Sequence, residues 1–471
     1  MATAAKVRGY GSAERPLATE MWQREAHGPN HPALVEHGNF EPDNHHVDHA
    51  RYFDPARAQD EYDHVWTDNW LLACREEDIP QVGDRVPLTV GPHSYFIVRS
   101  APDAFKAFHN SCLHRGTMLC AKSESAATIR CPYHAWEWNI DGRLKAIPSH
   151  WDFPDITRLN GSLPEIQLER WGGFLFVNAN KDAAPLIDAL GPIPAHFEQF
   201  APDKRFTGAR FRKLVRANWK ITQEAFQEAY HLYSTHPEAV PFTGDSQGAY
   251  EIWRNEAGHV GRNLTCAAVP SMFAPSEDTS LKAGVMLAQG MIGWHYPDEP
   301  EPVLDEHGDI RAQLGAWHRD VASRVYDRRI DLPDALMLDS PLYFFYPHSC
   351  FWLSEGVPFV YQFLPHETDP EMSYFDVRLL LPCPDEGPAP PAAPTIELDA
   401  DQGVFAHCPG FGFLGYIFDQ DMSNMPLIQK GAHSANPEKP FTRLSAYQEM
   451  IIQHWNAVMD EQIARGKAAR S

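Results

Sequence analysis

No stretch of this 471-residue sequence reaches eighteen consecutive apolar residues. A membrane-spanning helix is therefore not expected. The opening residues, MATAAKVRGYGSAERP, lack the apolar core of a secretory signal. Cysteine is sparse: eight residues, irregularly spaced, make no disulfide framework. A cytoplasmic protein with mostly reduced thiols is the expectation. Positive charge is in deficit, with 40 Lys and Arg against 63 Asp and Glu and a net charge of −23. That argues against broad electrostatic binding of nucleic acid, although it names no substrate. No internal repeat divides the chain. Its length points to two or three domain-sized units with room for a large core.

What is present has a clear order. Residues 1–55 are polar and carry turn signals (GPNHP, EPDN), and they read as an arm lying on the body of the protein. PARAQDEYDHVWTD (55–68) reads as a helix with Pro55 near its start. From 69 to about 180 come short apolar runs such as WLLAC, RVPLTV, SYFIVRS and GGFLFVNAN, separated by Gly, Pro and Asp. This is an all-β signature, a small sandwich or barrel, in a domain spanning 56–185. LIDALGPIPAHFEQF (186–200) reads as a helical connector. Beyond 205, strand-like runs (RFRKLVRA, YEIWRN, LYFFYP, CFWLSEG, VPFVYQFLP, YFDVRLLLP) mix with helical ones. The helical runs are NWKITQEAFQEAYHLY, RAQLGAWHRDVASRVYDRRI and TRLSAYQEMIIQHWNAVMDEQIARG. The fold class is α+β, with an antiparallel-sheet-and-helix domain over 186–440 and a C-terminal helix over 441–471. PCPDEGPAPPAAPT (382–395) reads as an exposed loop.

Metal-capable residues concentrate in two places. QEAYHLYSTHP (227–237) holds His231 and His236 five apart, with Glu228 three before the first. Glu228 and His231 share a helical face. His236 lies roughly 140° round from His231 on a continuous helix. Pro237, however, biases His236 away from helical angles, so the helix is expected to end there and His236 to fold back. Earlier, Cys112-Leu-His114 and Cys131-Pro-Tyr-His134 each pair one sulfur with one nitrogen. Zinc fingers usually pair Cys with Cys and His with His. In a Rieske [2Fe-2S] centre one iron takes two thiolates and the other two imidazoles, so two mixed loops suit it. Core cysteines with scattered histidines are the plain alternative. Cys120 reads as a buried structural thiol, and Cys74 and Cys266 have no partner pattern.

At these residues the sequence resembles the aromatic-ring-hydroxylating, Rieske-type non-haem iron oxygenases. CLHRG…CPYHAWEW is similar to their Rieske motif. That family usually has Gly after the second His, where this chain has Ala135. A methyl group there is tolerable unless the residue needs a positive φ. The family's second metal site, in a C-terminal helix-grip domain, is a facial triad of two His and one carboxylate that leaves positions for O₂. Its motif begins NWK, here Asn218-Trp219-Lys220. The resemblance implies His231 and His236 as ligands. It places the third in IFDQDMSNMPLIQKG (417–431), with Asp421 preferred because it follows Gln420, and Asp419 as the alternative. A helix cap is the structural alternative for either aspartate. Glu228 is then implied to be a bridge that passes the electron from His134 of the partner subunit. The family usually has Asp at that position. Glu224, one turn earlier, is left between a supporting and a capping role.

The resemblance covers about 60 to 435 and implies the terminal oxygenase component of a Rieske system. Such a component uses O₂ and electrons from a separate reductase, with or without a ferredoxin, so NAD(P)H acts only indirectly. The substrate implied is an aromatic or other hydrophobic small molecule. Monooxygenation or O- or N-demethylation, including of quaternary amines, is the alternative outcome; an electron-transfer-only Rieske protein is the third. A head-to-tail homotrimer is implied, with or without a small β subunit. GFGFLG (410–415) matches GxGxxG but lacks a βαβ context, and it reads as a turn leading to Asp421. DNHHVDH (43–49) reads as an exposed polar arm rather than a third metal site. GVMLAQGMIGWHY (284–296) and YFFYPHSCFW (343–352) are left between pocket lining and core strand.

Overall fold

The structure is a computed structural model. It describes residues 17–43, 46–156, 161–275 and 279–470. Asn44 and His45 of the histidine-rich arm segment lie outside the described residues.

The described part of the arm lies on the body. Trp22, in the short helix Ala18–Trp22, is fully buried and donates its indole N–H to Asp339 at 2.7 Å. Glu25 pairs with Arg311 at 2.7 Å. Asp54 caps the helix Pro55–His64 by accepting from Ala56 N, with Pro55 in the first turn where its missing N–H costs nothing. Glu61 of that helix is buried and accepts from both Lys220 Nζ (2.8 Å) and Trp219 Nε1 (3.2 Å). The helix therefore holds the Asn-Trp-Lys stretch. Burial pulls the Lys220 pKa down to about 8 against the opposing pull of Glu61.

The region from 71 to 178 is all-β, as expected, in three small antiparallel sheets. Ala104–His109, His93–Ala101, Asp84–Val90 and Glu124–Ser125 form one. Thr128–Arg130, Glu137–Asn139 and Leu144–Ala146 form another, and Gln167–Trp171, Phe174–Asn178 and Leu71–Arg75 the third. Phe96, Phe108, Ile129, Trp136 and Trp138 make a separate core around Cys112, Cys120 and Cys131.

The second unit is an eight-stranded sheet. Its order is Thr243–Arg254, His259–Ala267, Ser340–Phe345, Ser349–Trp352, Phe359–Pro365, Ser373–Pro382, Arg205–Val215 and Thr395–Leu398. All pairs are antiparallel except the last. Alternation divides its residues between two cores: Leu342 and Phe344 enter one, Tyr343 and Phe345 the other. Both faces are covered, so these strands read as continuous apolar runs. The helices Gly412–His433 and Met450–Arg470 cover one face, and Ser280–Leu287 and Ile310–Val325 the other. No helix among the described residues is long and apolar enough to cross a membrane.

Two local expectations need correction. The run from Asn218 to Tyr233 is not one helix: Trp219–Glu224 and Leu232–Thr235 are separated. Ala229 N donates to Tyr250 Oη at 3.1 Å instead of continuing the helical ladder. The C-terminal helix begins at Met450, because Phe441–Thr442 instead pairs with Val47–Asp48 of the arm. Residues 284–296, left open between pocket lining and core strand, are helical turns.

Candidate metal centres and family relationship

Cys112-His114 and Cys131-His134 sit on two loops of the same build. In each, the fourth residue after the cysteine donates its N–H back to the cysteine carbonyl: Gly116 to Cys112 at 2.9 Å, Ala135 to Cys131 at 3.1 Å. Both residues are left-handed, Gly116 at φ +76° and Ala135 at φ +58°. A positive φ is free for glycine and strained for alanine, so Ala135 occupies a glycine conformation. Both thiols are buried, and the two imidazole rings lie 4.6 Å apart between centroids. His114 stacks on Trp136 at 5.2 Å with 6° between the planes. Nδ1 of His114 and Nδ1 of His134 are buried with no partner in the protein. Two inward nitrogens without partners beside two thiols fit a [2Fe-2S] cluster of mixed ligation. Cys120 is different: burial pushes its thiol up to about 11, and it donates to Lys122 O.

The second set converges at the broken helix. His231 precedes and His236 follows the turn Leu232–Thr235, and His236 leaves helical angles at φ −122° before Pro237. The two Nε2 atoms stand 3.3 Å apart. Asp421 Oδ1 is 2.9 Å from His236 Nε2 and 3.3 Å from His231 Nε2. Among the described residues this is the one cluster of three His, Cys, Asp or Glu side chains whose ligand atoms lie within 4.8 Å of one another. Each imidazole is held from behind. His231 Nδ1 donates to Glu228 Oε1 at 2.6 Å, and His236 Nδ1 donates to Gln420 Oε1 at 2.9 Å. With Nδ1 protonated, a neutral ring presents an Nε2 lone pair to the centre. Asp421 Oδ1 makes no hydrogen bond despite its contacts. Lone pairs and a carboxylate so close together repel unless positive charge sits among them. Burial works against charge on His231, yet Glu228 and Asp421 overcome it and hold its pKa up to about 10. The donor set is the two-His, one-carboxylate face that fits ferrous iron.

Asp419 does not join this set. It accepts from Val404 N (2.6 Å) and Phe405 N (3.1 Å), capping the helix Val404–His407. Residues two apart on a helix point roughly 200° apart, so only one of the two aspartates can face the histidines. Glu228 stays in its own chain beside His231 and also accepts from His231 N at 3.1 Å. No hydrogen bond joins it to His134 of the same chain among the described residues. Glu224 is half-buried and accepts from Tyr52 Oη and Asn456 Nδ2. Gln420, noted in the sequence only as the neighbour of Asp421, is the partner that sets His236.

A cavity of about 140 Å³ adjoins the triad. Phe226, Trp352, Phe359, Tyr361, Ile417 and Phe418 are among its walls, and Met291 of the helical turns at 284–296 reaches it. Three polar atoms of its walls are buried without partners: Asn263 Oδ1, Trp352 Nε1 and Tyr361 Oη. GFGFLG leads into the helix Gly412–His433. Gly412 has φ +49°, and a Cβ there would meet Trp294 at 2.9 Å, so this glycine serves packing.

The sequence profile of the Rieske [2Fe-2S] domain matches residues 69–157. That of the catalytic domain of the ring hydroxylating alpha subunit matches residues 195–465, more than half of the chain. The chain belongs to the ring-hydroxylating α-subunit family. Its second matched region runs into the helix Met450–Arg470. It is 28% identical over 188 residues to the glycine betaine monooxygenase oxygenase subunit of Pseudomonas aeruginosa, which covers 40% of this chain and 44% of that protein. It is 27% identical over 288 residues to the large oxygenase component of the naphthalene 1,2-dioxygenase system of Pseudomonas putida, covering 59% and 61%. These matches span less than two thirds of either relative. A solved quaternary ammonium Rieske monooxygenase superimposes with a TM-score of 0.60 at 17% identity, over 89% of this chain and 96% of that one. That likeness establishes the fold.

Proposed function

We propose that this member of the family is the terminal oxygenase component of a Rieske non-haem iron system. It takes electrons from a separate reductase, directly or through a ferredoxin, and uses O₂ to hydroxylate an aromatic or other hydrophobic small molecule. The observation that carries this reading is the presence in one chain of two complete donor sets, one mixed Cys/His and one two-His, one-carboxylate. Cys112, His114, Cys131 and His134 would hold the cluster, and His231, His236 and Asp421 the single iron. The cluster supplies one-electron relay and the iron supplies O₂ activation.

The protein's own residues do the rest. Glu228 and Gln420 fix the tautomer and aim of the two imidazoles. The apolar walls of the cavity hold the substrate and exclude water. Each Glu228 oxygen accepts one bond from His231, which leaves a lone pair for an outside donor. In our reading that donor is the imidazole of His134 of the partner subunit, in a head-to-tail homotrimer. Exposed Leu113, Met118, Tyr133 and Trp151 beside the first set, and Tyr230, Tyr233 and Phe273 beside the second, support such a contact. Monooxygenation or dealkylation on the same fold is the second reading, favoured by the similarity to glycine betaine monooxygenase.

Metal and sulfide analysis of the purified chain tests the reading, together with O₂ uptake driven by a surrogate reductase. About three iron atoms per chain are expected, two of them matched by acid-labile sulfide. Iron found only with sulfide, or no substrate-dependent O₂ uptake in the fully loaded protein, would sink it.

A further inference from the structure

Two strands that wall the cavity end at one buried knot of charges. Thr265 faces Ser340 on the last rung between His259–Ala267 and Ser340–Phe345. One rung further on, Ala267 would face Leu338, but Leu338 closes the helix Asp334–Leu338. The Ala267 N–H donates instead to Asp339 Oδ1 at 2.8 Å. Arg311 Nη1 donates to the Ala267 carbonyl and to the same Oδ1, both at 2.7 Å. Side chains thus take over both backbone groups of Ala267. Thr265, Cys266, Ala267 and Ser340 all line the cavity, and Ser340 follows Asp339 directly in the chain.

The arm completes the knot. Trp22 Nε1 donates to Asp339 Oδ2 at 2.7 Å. Arg311 Nη2 divides its bonds between that oxygen (2.9 Å) and Glu25 Oε1 (2.7 Å). Asp339 is fully buried, so a donor lost there is not replaced by water and the loss is costly. One guanidinium serves two carboxylates, with Asp334 and the Cys266 thiol also facing the group. Burial holds the Glu25 carboxyl up to about 7 against the pull of Arg311, and Asp339 and Asp334 add to the rise. The folded value is the raised one. The hold of Glu25 is therefore full below about 4.5 and is lost as pH rises through 7.

We propose that Trp22 and Glu25 are positioning residues of the substrate cavity: through Asp339 and Arg311, the N-terminal arm sets the wall formed by Thr265, Cys266, Ala267 and Ser340. The arm is then part of the substrate site although it touches no substrate. This rests on the oxygenase reading given above, which makes the cavity a substrate pocket.

The test uses the metal-loaded protein without O₂, so that nothing turns over. The probe is toluene, titrated by calorimetry; the cavity of about 140 Å³ is close to the ~150 Å³ of one that holds benzene. Amide hydrogen exchange at residues 265–268, corrected for its intrinsic pH dependence, is followed in parallel at pH 6 and pH 8. Trp22→Phe keeps a ring and removes the N–H, and Glu25→Gln keeps an acceptor for Arg311 and removes the titration. Unchanged iron, sulfide and visible spectrum show that both are folded. Trp22→Phe is expected to speed exchange at 265–268 about tenfold, the weight of one hydrogen bond to a charged group, and to weaken toluene binding by up to the same factor. Wild type should exchange there about tenfold faster at pH 8 than at pH 6, and Glu25→Gln equally at both. Unchanged exchange in Trp22→Phe overturns the arm's hold on the wall. Faster exchange with unchanged toluene affinity overturns its part in the substrate site, as does a wild type that binds no toluene. Absence of the pH difference in wild type, or its survival in Glu25→Gln, overturns the assignment of Glu25. Both measurements are made without turnover, so a protein that behaves as expected but never consumes O₂ would refute the oxygenase reading alone.

Discussion

Asp419 and Asp421 lie two residues apart on one helix, and replacing each by alanine should have opposite consequences. Asp421 is 5% exposed, with Oδ1 within 3.3 Å of both histidine Nε2 atoms. Asp421→Ala leaves two imidazoles and no carboxylate. Losing a residue that merely supports a ligand typically costs 10–100-fold in metal affinity, and losing a ligand costs more. Iron should therefore fall from about three to about two per chain, with sulfide and the Rieske visible spectrum unchanged. Asp419 instead supplies two bonds to the first turn of Val404–His407. A lost helix cap costs about 1 kcal/mol, which lowers Tm by about 2–4 °C in a domain of this size. Asp419→Ala should keep all its iron and lose only that stability. Iron and sulfide assays with a thermal melt on each variant decide the matter. A full complement of iron in Asp421→Ala, or loss of the third iron in Asp419→Ala, would refute the assignment.

Three further outcomes are expected. Glu228→Gln should retain both metal centres and slow reoxidation of the reduced Rieske centre by about 10–100-fold in stopped-flow absorbance; an unchanged rate would remove Glu228 from the electron path. Ala135→Gly should raise stability by about 1 kcal/mol, since it relieves a left-handed alanine, and a lower Tm would show that the φ of +58° carries no strain. Burial alone would raise the Asp78 pKa, but Arg378 and Arg210 overcome it and pull it down to about 2, against 3.8 ordinarily. Because the folded value is the lower one, this pairing stabilises by about 2 kcal/mol above pH ~4, and the gain disappears as pH falls toward 2. Denaturant titrations of wild type and Asp78→Asn should therefore differ by about 2 kcal/mol near pH 7 and converge in acid; a gap independent of pH would contradict it.

The two donor sets were legible because metal ligation demands particular side chains at short spacings. Cys112-x-His114, Cys131-x-x-His134 and the His231/His236 pair all declare themselves within a few residues. Pro237 likewise announced the turn that frees His236 from the helix. The break at Ala229 had no local signal, because its cause is the hydroxyl of Tyr250, on a strand 21 residues away. The choice between Asp419 and Asp421 depended on the phase of a long helix against the histidines, which a sequence does not contain. The lining at 343–352 was undecided for a similar reason. Trp352 faces the cavity, while Phe351 packs in the core on the other face, and only strand pairing tells them apart.

The sequence by itself determined the α+β class, the order of the β-rich and mixed regions, and the identity of most of the metal-capable residues. These follow from composition, alternation and spacing, all of which are local. Tertiary structure decided which aspartate faces the histidines, that Gln420 and Glu228 orient them, and that Ala135 carries a glycine's backbone. It also decided which aromatic residues wall the cavity and which of their polar atoms are left without a partner. The contact that orients His236 joins segments 184 residues apart, the separation of His236 and Gln420. Such contacts exist only once the two faces of the sheet have been buried.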